Sequence, residues 1–299
     1  MVSIRLTDVN VQYPTETSTR QRSAFAQLAS GFSFGGLRRT DGEGSFVWAI
    51  KNLTLNIAAG SRVGLIGRNG AGKSTLLKTI AGIYSPSSGR RQVHGDLGCL
   101  LSTGAGMDTD VSGLENLKKM ALLHGLRGKE AREMVKAAAE FSALGPYLEM
   151  PVRTYSSGMS ARLAFASATA KKTDILIVDE VIGAGDMFFI DKAVKRIEEL
   201  CQSAGIVVMS SHSYSIVSKF CTEVLLLDAG EPLAFGKIED VWPQYEAMHA
   251  LQPGQPARRP EQRLIVNAGP KTSGPLFPAT VFERRGSGNL HTGLSGVSA

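Results

Sequence analysis

Cysteine is scarce and poorly placed for crosslinking. The chain holds three, Cys99, Cys201 and Cys221, an odd number at wide spacing. That pattern argues against a disulfide scaffold or a metal knuckle, and for reduced, buried thiols in a cytosolic protein. Long apolar runs are missing too. Runs such as Val224 to Leu227 fall far short of a bilayer, so any seat on a membrane would have to come through a partner. Met1 to Val11 alternates polar and apolar residues and carries Arg5 and Asp8, the pattern of a strand and not of a secretory leader. His94, His124, His249 and His291 show no metal-ligand spacing. What is present is enough for a real core: 43% of 299 residues are apolar, room for one large domain or two small ones.

The net charge of +6 would by itself suggest weak attraction to nucleic acid or anionic lipid. Its distribution weakens that idea. Residues 251–299 contain six Lys/Arg against two Asp/Glu and so supply +4 of the +6, together with six of the twelve prolines and seven glycines. The expectation is a mostly disordered tail with a short sticky strand such as Leu264-Ile265-Val266, or a peptide that docks on a partner.

Along residues 1–250 strands and helices alternate. Ser3 to Tyr13 reads as an opening strand, with Ile4, Leu6, Val9, Val11 and Tyr13 at near-alternating positions. Pro14 to Ser45 reads as an inserted loop with a short helix around Arg22 to Ala29. Phe46 to Ile50 and Leu53 to Ile57 resume as two strands, and Gly60 turns the chain into a strand at Val63. Gly113 to Leu148 and a helix from Gly158 to Lys172 form an all-helical stretch, about 113–172. Strands then return at Asp174–Val178, Gly205–Met209 and Val224–Leu227, separated by helices at Phe188–Cys201 and Ser213–Phe220. The pattern predicts an α/β nucleotide-binding core interrupted by a helical insertion.

Gly67-Arg68-Asn69-Gly70-Ala71-Gly72-Lys73-Ser74 matches the phosphate-loop pattern G-x-x-x-x-G-K-[ST] in full, between an apolar strand and a helix that opens at Thr75. Backbone N–H groups of such a loop surround a phosphate, and the helix N-terminus adds to the attraction. Lys73 is expected on the β- and γ-phosphates and Ser74 on Mg²⁺. About a hundred residues on, Ile175-Leu176-Ile177-Val178 ends in Asp179-Glu180. Ligands gather at the C-terminal ends of such strands. Asp179 is placed to hold Mg²⁺, and Glu180 to orient or deprotonate an attacking water. His212 follows the next strand at the same edge, in reach of the γ-phosphate or that water. Tyr155-Ser156-Ser157-Gly158-Met159 precedes a helix whose N-terminus would accept an anion. This second anion site makes sense beside the first if a second copy of the chain closes over it.

In this order the pieces resemble the nucleotide-binding subunit of an ABC transporter, from Val2 to Trp242. The resemblance implies a P-loop NTPase core with an antiparallel β subdomain and an inserted all-helical subdomain. It makes Tyr155–Met159 the signature, where many relatives read Leu-Ser-Gly-Gly-Gln. Gly183-Ala184-Gly185-Asp186 becomes the D-loop, with Asp186 at the nucleotide seam, and His212 the switch histidine. ATP and Mg²⁺ are the implied ligands. Two copies would meet head to tail, each ATP lying between Lys73 and Ser74 of one chain and Ser156, Ser157 and Gly158 of the other. Ser102 stands where relatives carry the Q-loop glutamine, as a shorter, neutral candidate near the metal. Tyr13 is the family-like base-stacking residue, and Trp48 competes with it.

One branch is closest in its details, the exporters of polysaccharide and O-antigen. The run from Tyr155 to Ala166, Leu100-Leu101 with Gly104-Ala105-Gly106-Met107, and Gly113-Leu114-Glu115-Asn116-Leu117 all resemble that branch. So does the long gap between Tyr13 and Trp48. The resemblance implies a separate dimeric membrane permease, a lipid-linked glycan as cargo, and a peripheral place on the cytoplasmic face of the inner membrane. Residues beyond 250 lack the regular strands of a sugar-binding β-sandwich, so glycan-end recognition is not expected. The rivals are the ATPase of another ABC importer or exporter, and a soluble ABC ATPase acting on nucleic acid, a partner the chain shows no sign of.

Overall fold

The protein is described by a computed structural model over residues 1–15, 37–38, 45–101, 107–179, 187–249 and 264–269. The elements run β1 (Ser3–Thr15), β2 (Leu37–Arg38), β3 (Ser45–Ala58), β4 (Arg62–Ile66), α1 (Lys73–Ala81), β5 (Ser88–His94), β6 (Leu97–Leu101), α2 (Gly113–Leu123), α3 (Gly128–Ser142), α4 (Ser157–Ala168), β7 (Ile175–Asp179), α5 (Met187–Ser203), β8 (Ile206–Ser210), α6 (Tyr214–Phe220), β9 (Glu223–Asp228), β10 (Glu231–Lys237), α7 (Ile238–His249) and β11 (Ile265–Ala268). The short helix expected around Arg22 to Ala29 lies outside the described residues.

Two sheets form the frame. In one, β1 is flanked antiparallel by β3 and β5, and β11 adds parallel to β3. In the other, the order is β10-β9-β4-β8-β7-β6, parallel except for β10. Ile4, Leu6, Leu55 and Ile57 of the first pack with Val63, Leu65, Ile177 and Val208 of the second and with Leu76, Leu77 and Ile80 of α1 in one core. A second core lies under the helices that carry Phe165, Phe189, Ile197 and Trp242, and a third joins α2, α3 and α4.

The slips in the alternation of β1 and β3 are bulges. β1 buries Ile4 and Leu6, then shifts by one to Val9 and Val11, and Asp8 between them stands at φ 52°. β3 shifts between Ile50 and Leu53, with Asn52 at φ 46°. Asp and Asn tolerate this left-handed conformation better than other residues with a Cβ, and a bulge turns the hydrophobic face back to the core. Phe46–Ile50 and Leu53–Ile57, expected as two strands, are therefore one.

The cysteines are free thiols: Cys201 and Cys221 are buried and Cys99 partly so. Burial pushes Cys99 and Cys201 up to about 11 and Cys221 up to about 12, so little thiolate forms at neutral pH and the groups are chemically quiet.

Beyond residue 250 the chain returns to the first sheet. Val266 and Ala268 of β11 are buried, and Asn56 donates to Asn267 Oδ1 at 2.9 Å. The sticky segment Leu264–Val266 thus covers the flank of β3, whose N–H and C=O groups would otherwise present an open edge. Val266→Ala is expected to cost about 2 kcal/mol, from two lost methyl groups and the cavity they leave. Urea unfolding would show this as a lower midpoint at unchanged slope.

Candidate functional site

The phosphate loop leaves the end of β4 and is squeezed between the two sheets. Gly67 has φ 151°, and a Cβ there would lie 2.2 Å from the Leu227 carbonyl oxygen of β9. Gly72 has φ 102°, and its Cβ would lie 2.4 Å from the Ala49 carbonyl oxygen of β3. No other residue fits either place. The loop is also tied down: Gly230 N–H donates to Ala71 O at 3.0 Å, and Gly230 O accepts from Lys51 N–H at 2.8 Å. Gly72 caps α1 with no side-chain bond, so the first N–H groups of the helix face the loop's concavity, where an anion is favoured.

Lys73 is buried, with its ammonium inside the loop. Nζ donates to Gly67 O at 2.7 Å and Arg68 O at 3.2 Å, and lies 3.2 Å from His212 Nε2. Carbonyl dipoles and an imidazole lone pair balance a charge that would otherwise be costly to bury. His212 Nδ1 lies 2.8 Å from Tyr245 Oη. The Arg68 side chain is turned away to Asp228, at 3.2 Å; its expected share in ligand binding falls to its backbone. The loop from Asn69 to Thr75, His212, Tyr13, Val47, Trp48 and Ala49 line one cavity of about 230 Å³.

Strand register sets the remaining chemistry. Asp179 is level with Ser210, and Ser210 with Leu65, so the carboxylate and the loop share the C-terminal edge of β7, β8 and β4. The Ser210 hydroxyl donates to Asp179 Oδ1 and fixes the carboxylate. Ser74 is exposed in the cavity wall. A hydroxyl and a carboxylate at the edge of a triphosphate cradle suit Mg²⁺, which prefers oxygen donors and keeps several waters. Tyr13 and Trp48 meet in the same wall. Tyr13 Oη lies 3.3 Å from Thr75 Oγ1, and its ring stands edge-on to Tyr84 at 5.7 Å. Glu180, Asp186 and Ser102 lie outside the described residues.

Ser156, Ser157 and Gly158 sit elsewhere. They open α4, where the Ser156 hydroxyl accepts from Met159 N–H at 3.2 Å, and they take no part in the cavity wall. Their neighbour Tyr155 donates to Tyr147 O at 2.6 Å, and burial raises its hydroxyl's pKa. That hydroxyl lies over the start of α2: a Cβ on Gly113 would come within 2.4 Å of it. Two motifs forty residues apart in sequence are thus one packing unit. Ser112 and Glu115 cap α2 reciprocally. The buried Asn116 amide accepts from Asp108 N–H and donates to Asp108 O, both at 2.9 Å. A hydrogen bond from Lys119 holds the Asp108 carboxyl below its usual range.

Sequence reading missed Tyr245, Ser210 and Asp228. The apolar spacing of Val241, Trp242, Tyr245 and Met248 marks one face of a helix and would have found α7. The pairing of Tyr245 with His212 is tertiary and leaves no mark in sequence.

A glycine-bent loop feeding a helix N-terminus, with lysine inside it and a carboxylate-ended strand two places away in the sheet, defines a P-loop nucleotide-binding protein. The comparisons narrow this class. A family model described as ABC transporter matches residues 50–183. The chain is 41% identical over 232 residues to the O-antigen export system ATP-binding protein RfbE of Yersinia enterocolitica, covering 77% of this chain and 96% of that one. It is 37% identical to RfbB of Myxococcus xanthus, another O-antigen export system ATP-binding protein, covering 85% of this chain and 57% of the other. It is 40% identical to the teichoic acids export ATP-binding protein TagH of Lactococcus lactis, covering 67% and 42%. The chain therefore spans nearly all of the first relative and about half of the other two. It also superposes on an ATP-binding cassette, MJ0796, solved as a dimer in a post-hydrolysis state with ADP and Pi, with TM-score 0.60 at 20% identity over 79% of this chain and 98% of that one. This likeness establishes the fold. The chain belongs to the ABC transporter family, as one of its ATPase components.

The contact between Tyr155 and Gly113 is open to a direct test. Gly113→Ala is expected to destabilise the protein by roughly 1–3 kcal/mol through overpacking. In a Tyr155→Phe background, which removes the obstructing oxygen, the same substitution should cost clearly less. Chemical unfolding of the four proteins measures the difference.

Proposed function

We propose that the chain powers export of a lipid-linked polysaccharide of the O-antigen type, as the ATP-hydrolysing subunit paired with a dimeric membrane permease on the cytoplasmic face of the inner membrane. The observation that carries this reading is the identity to an O-antigen export ATP-binding protein across nearly the whole of that protein. The packing of Tyr155 on Gly113 adds to it, because it unites two of the segments in which the sequence resembles polysaccharide exporters. Among the described residues no helix is long and apolar enough to cross a membrane, so this chain's seat there would be through its partner.

In this reading the loop N–H groups and Lys73 hold the β- and γ-phosphates, and the base rests on the wall that Tyr13 and Trp48 build. Ser74 and Asp179 would hold Mg²⁺, which screens phosphate charge. Glu180 orients or deprotonates the attacking water, and His212 offers an N–H to the terminal phosphate. Ser156, Ser157 and Gly158 of a second copy close over the same triphosphate, with Asp186 at the seam, and hydrolysis releases the pair. The local packing supports a partner at Gly158. Its φ is ordinary, and an added Cβ would meet only Ser156 Oγ, at 3.9 Å; the fold of this chain does not require glycine there. In place of a Q-loop glutamine, Ser102 and the segment to Val111 would pass the motion to the permease.

Glu180→Gln is expected to keep ATP binding, lower turnover at least a hundredfold, and accumulate as an ATP-dependent dimer in size-exclusion chromatography. Adding Gly158→Asp should abolish the dimer and spare ATP binding to the monomer. A Glu180→Gln/Gly158→Asp protein that still dimerises with ATP would remove the head-to-tail seam. Purification from membranes with untagged partners should recover a permease and a lipid-linked sugar; recovery of nucleic acid alone would overturn the export reading.

A further inference from the structure

His212 lies between two groups of opposite hydrogen-bonding habit. Lys73 Nζ, 3.2 Å from Nε2, has protons and no lone pair. Nε2 must therefore offer its lone pair, which puts the imidazole proton on Nδ1, pointing at Tyr245 Oη 2.8 Å away. A phenol hydroxyl both accepts and donates. It can take the Nδ1 proton's bond in this tautomer and give its own proton to Nδ1 in the other. A phosphate oxygen, by contrast, only accepts, so a histidine that touches it must carry its proton on Nε2.

Tyr245 is held for this task by the packing of its ring. It is buried on α7, and its ring packs edge-on against Trp242 at 5.1 Å. Trp242 is fixed in turn by Tyr214, also at 5.1 Å, and by a bond from its Nε1 to Glu246 Oε1 at 3.1 Å. The imidazole and phenol planes are tilted by 33° at a centroid separation of 6.5 Å, so the contact runs through the hydroxyl and not through ring stacking.

We propose that Tyr245 is a positioning residue for ATP hydrolysis: its hydroxyl anchors His212 through a change of tautomer, from accepting a bond from Lys73 at Nε2 to donating one from Nε2 to the terminal phosphate. One proton leaves Nδ1 to water and one arrives at Nε2 from water, so the ring stays neutral. As Lys73 swings from the loop carbonyls to the phosphates, the histidine stays in place because its other side is still held. The proposal rests on the reading of His212 as the contact to the terminal phosphate, and it links the catalytic edge to α7.

The test uses the full chain as wild type, Tyr245→Phe and His212→Ala. Steady-state hydrolysis of MgATP is measured alongside ¹⁵N-histidine spectra with and without a non-hydrolysable ATP analogue. His212→Ala should lose about a hundredfold in kcat. Tyr245→Phe keeps the ring packing, and should lose about tenfold in kcat at unchanged KM. Wild-type His212 should read as the Nδ1–H tautomer alone and the Nε2–H tautomer with the analogue, whereas Tyr245→Phe should give averaged shifts in both. Wild-type kcat in Tyr245→Phe beside an inactive His212→Ala overturns the role of Tyr245 alone. Wild-type kcat in His212→Ala overturns the reading of the histidine and this inference with it. If Tyr245→Phe does not fold, the wild-type spectra decide: one tautomer in both states refutes the proposal.

Discussion

The site depends on a steric constraint at the phosphate loop. Two of its three glycines are pressed against carbonyl oxygens from different sheets, Gly67 against Leu227 and Gly72 against Ala49. The loop is thereby clamped between β9 and β3, and the hydrogen bonds through Gly230 close the clamp. Backbone donors aimed at a phosphate stabilise it best when they do not have to reorganise. Here the rigidity comes from two sheets meeting, so the loop cannot be separated from the packing between them. The bulges at Asp8 and Asn52 belong to the same requirement. They keep the apolar faces of β1 and β3 turned inward over strands of 13 and 14 residues, long enough to carry Tyr13 and Trp48 to the cavity.

Electrostatics follow from the same geometry. Lys73 is a buried cation in contact with the carbonyl oxygens of Gly67 and Arg68 and with one imidazole nitrogen. These contacts hold the ammonium among acceptors that a phosphate could replace, so in the proposed reading it would exchange one set of oxygens for another without passing through an apolar environment. Asp179 is held by Ser210 and Arg68 by Asp228. The loop's own guanidinium is already matched to a carboxylate, which in the proposed reading leaves the phosphate to Lys73 and the helix N-terminus.

Much of this was legible in sequence because local pattern and tertiary need coincide. The strand, glycine-rich turn and helix around Gly67–Ser74, the Asp179 strand and the parallel strands around them read correctly, since buried parallel strands are short apolar runs whose ends are marked by polar residues. The bulged strand β3 was split in two because a shift of the hydrophobic face looks like an interruption. β5 was missed: Ser88–His94 is mostly polar and is a strand because β1 offers it a partner, an effect of context over propensity. α7 escaped notice with Pro243 in its interior, and with it Tyr245. The contact of Tyr155 with Gly113 was visible only as two separate motifs, because nothing in either segment names the other.

The glycines divide by what demands them. At Gly67, Gly72 and Gly113 the demand is internal: a carbonyl or a phenol hydroxyl occupies the space a side chain would need. At Gly158 the chain itself makes no such demand, although the residue opens a helix, where glycine costs backbone entropy relative to most residues. Ser156 already supplies the cap that such a helix start needs, so capping does not account for it either. A residue unfavourable to its own helix and unconstrained by its own neighbours is best explained by something that approaches from outside. An anion lying on the α4 N-terminus would come against the backbone there, and a side chain would hold it off. The proposed second copy, bringing a triphosphate on its own clamped loop, supplies both the charge that a helix N-terminus attracts and the close approach that only glycine allows.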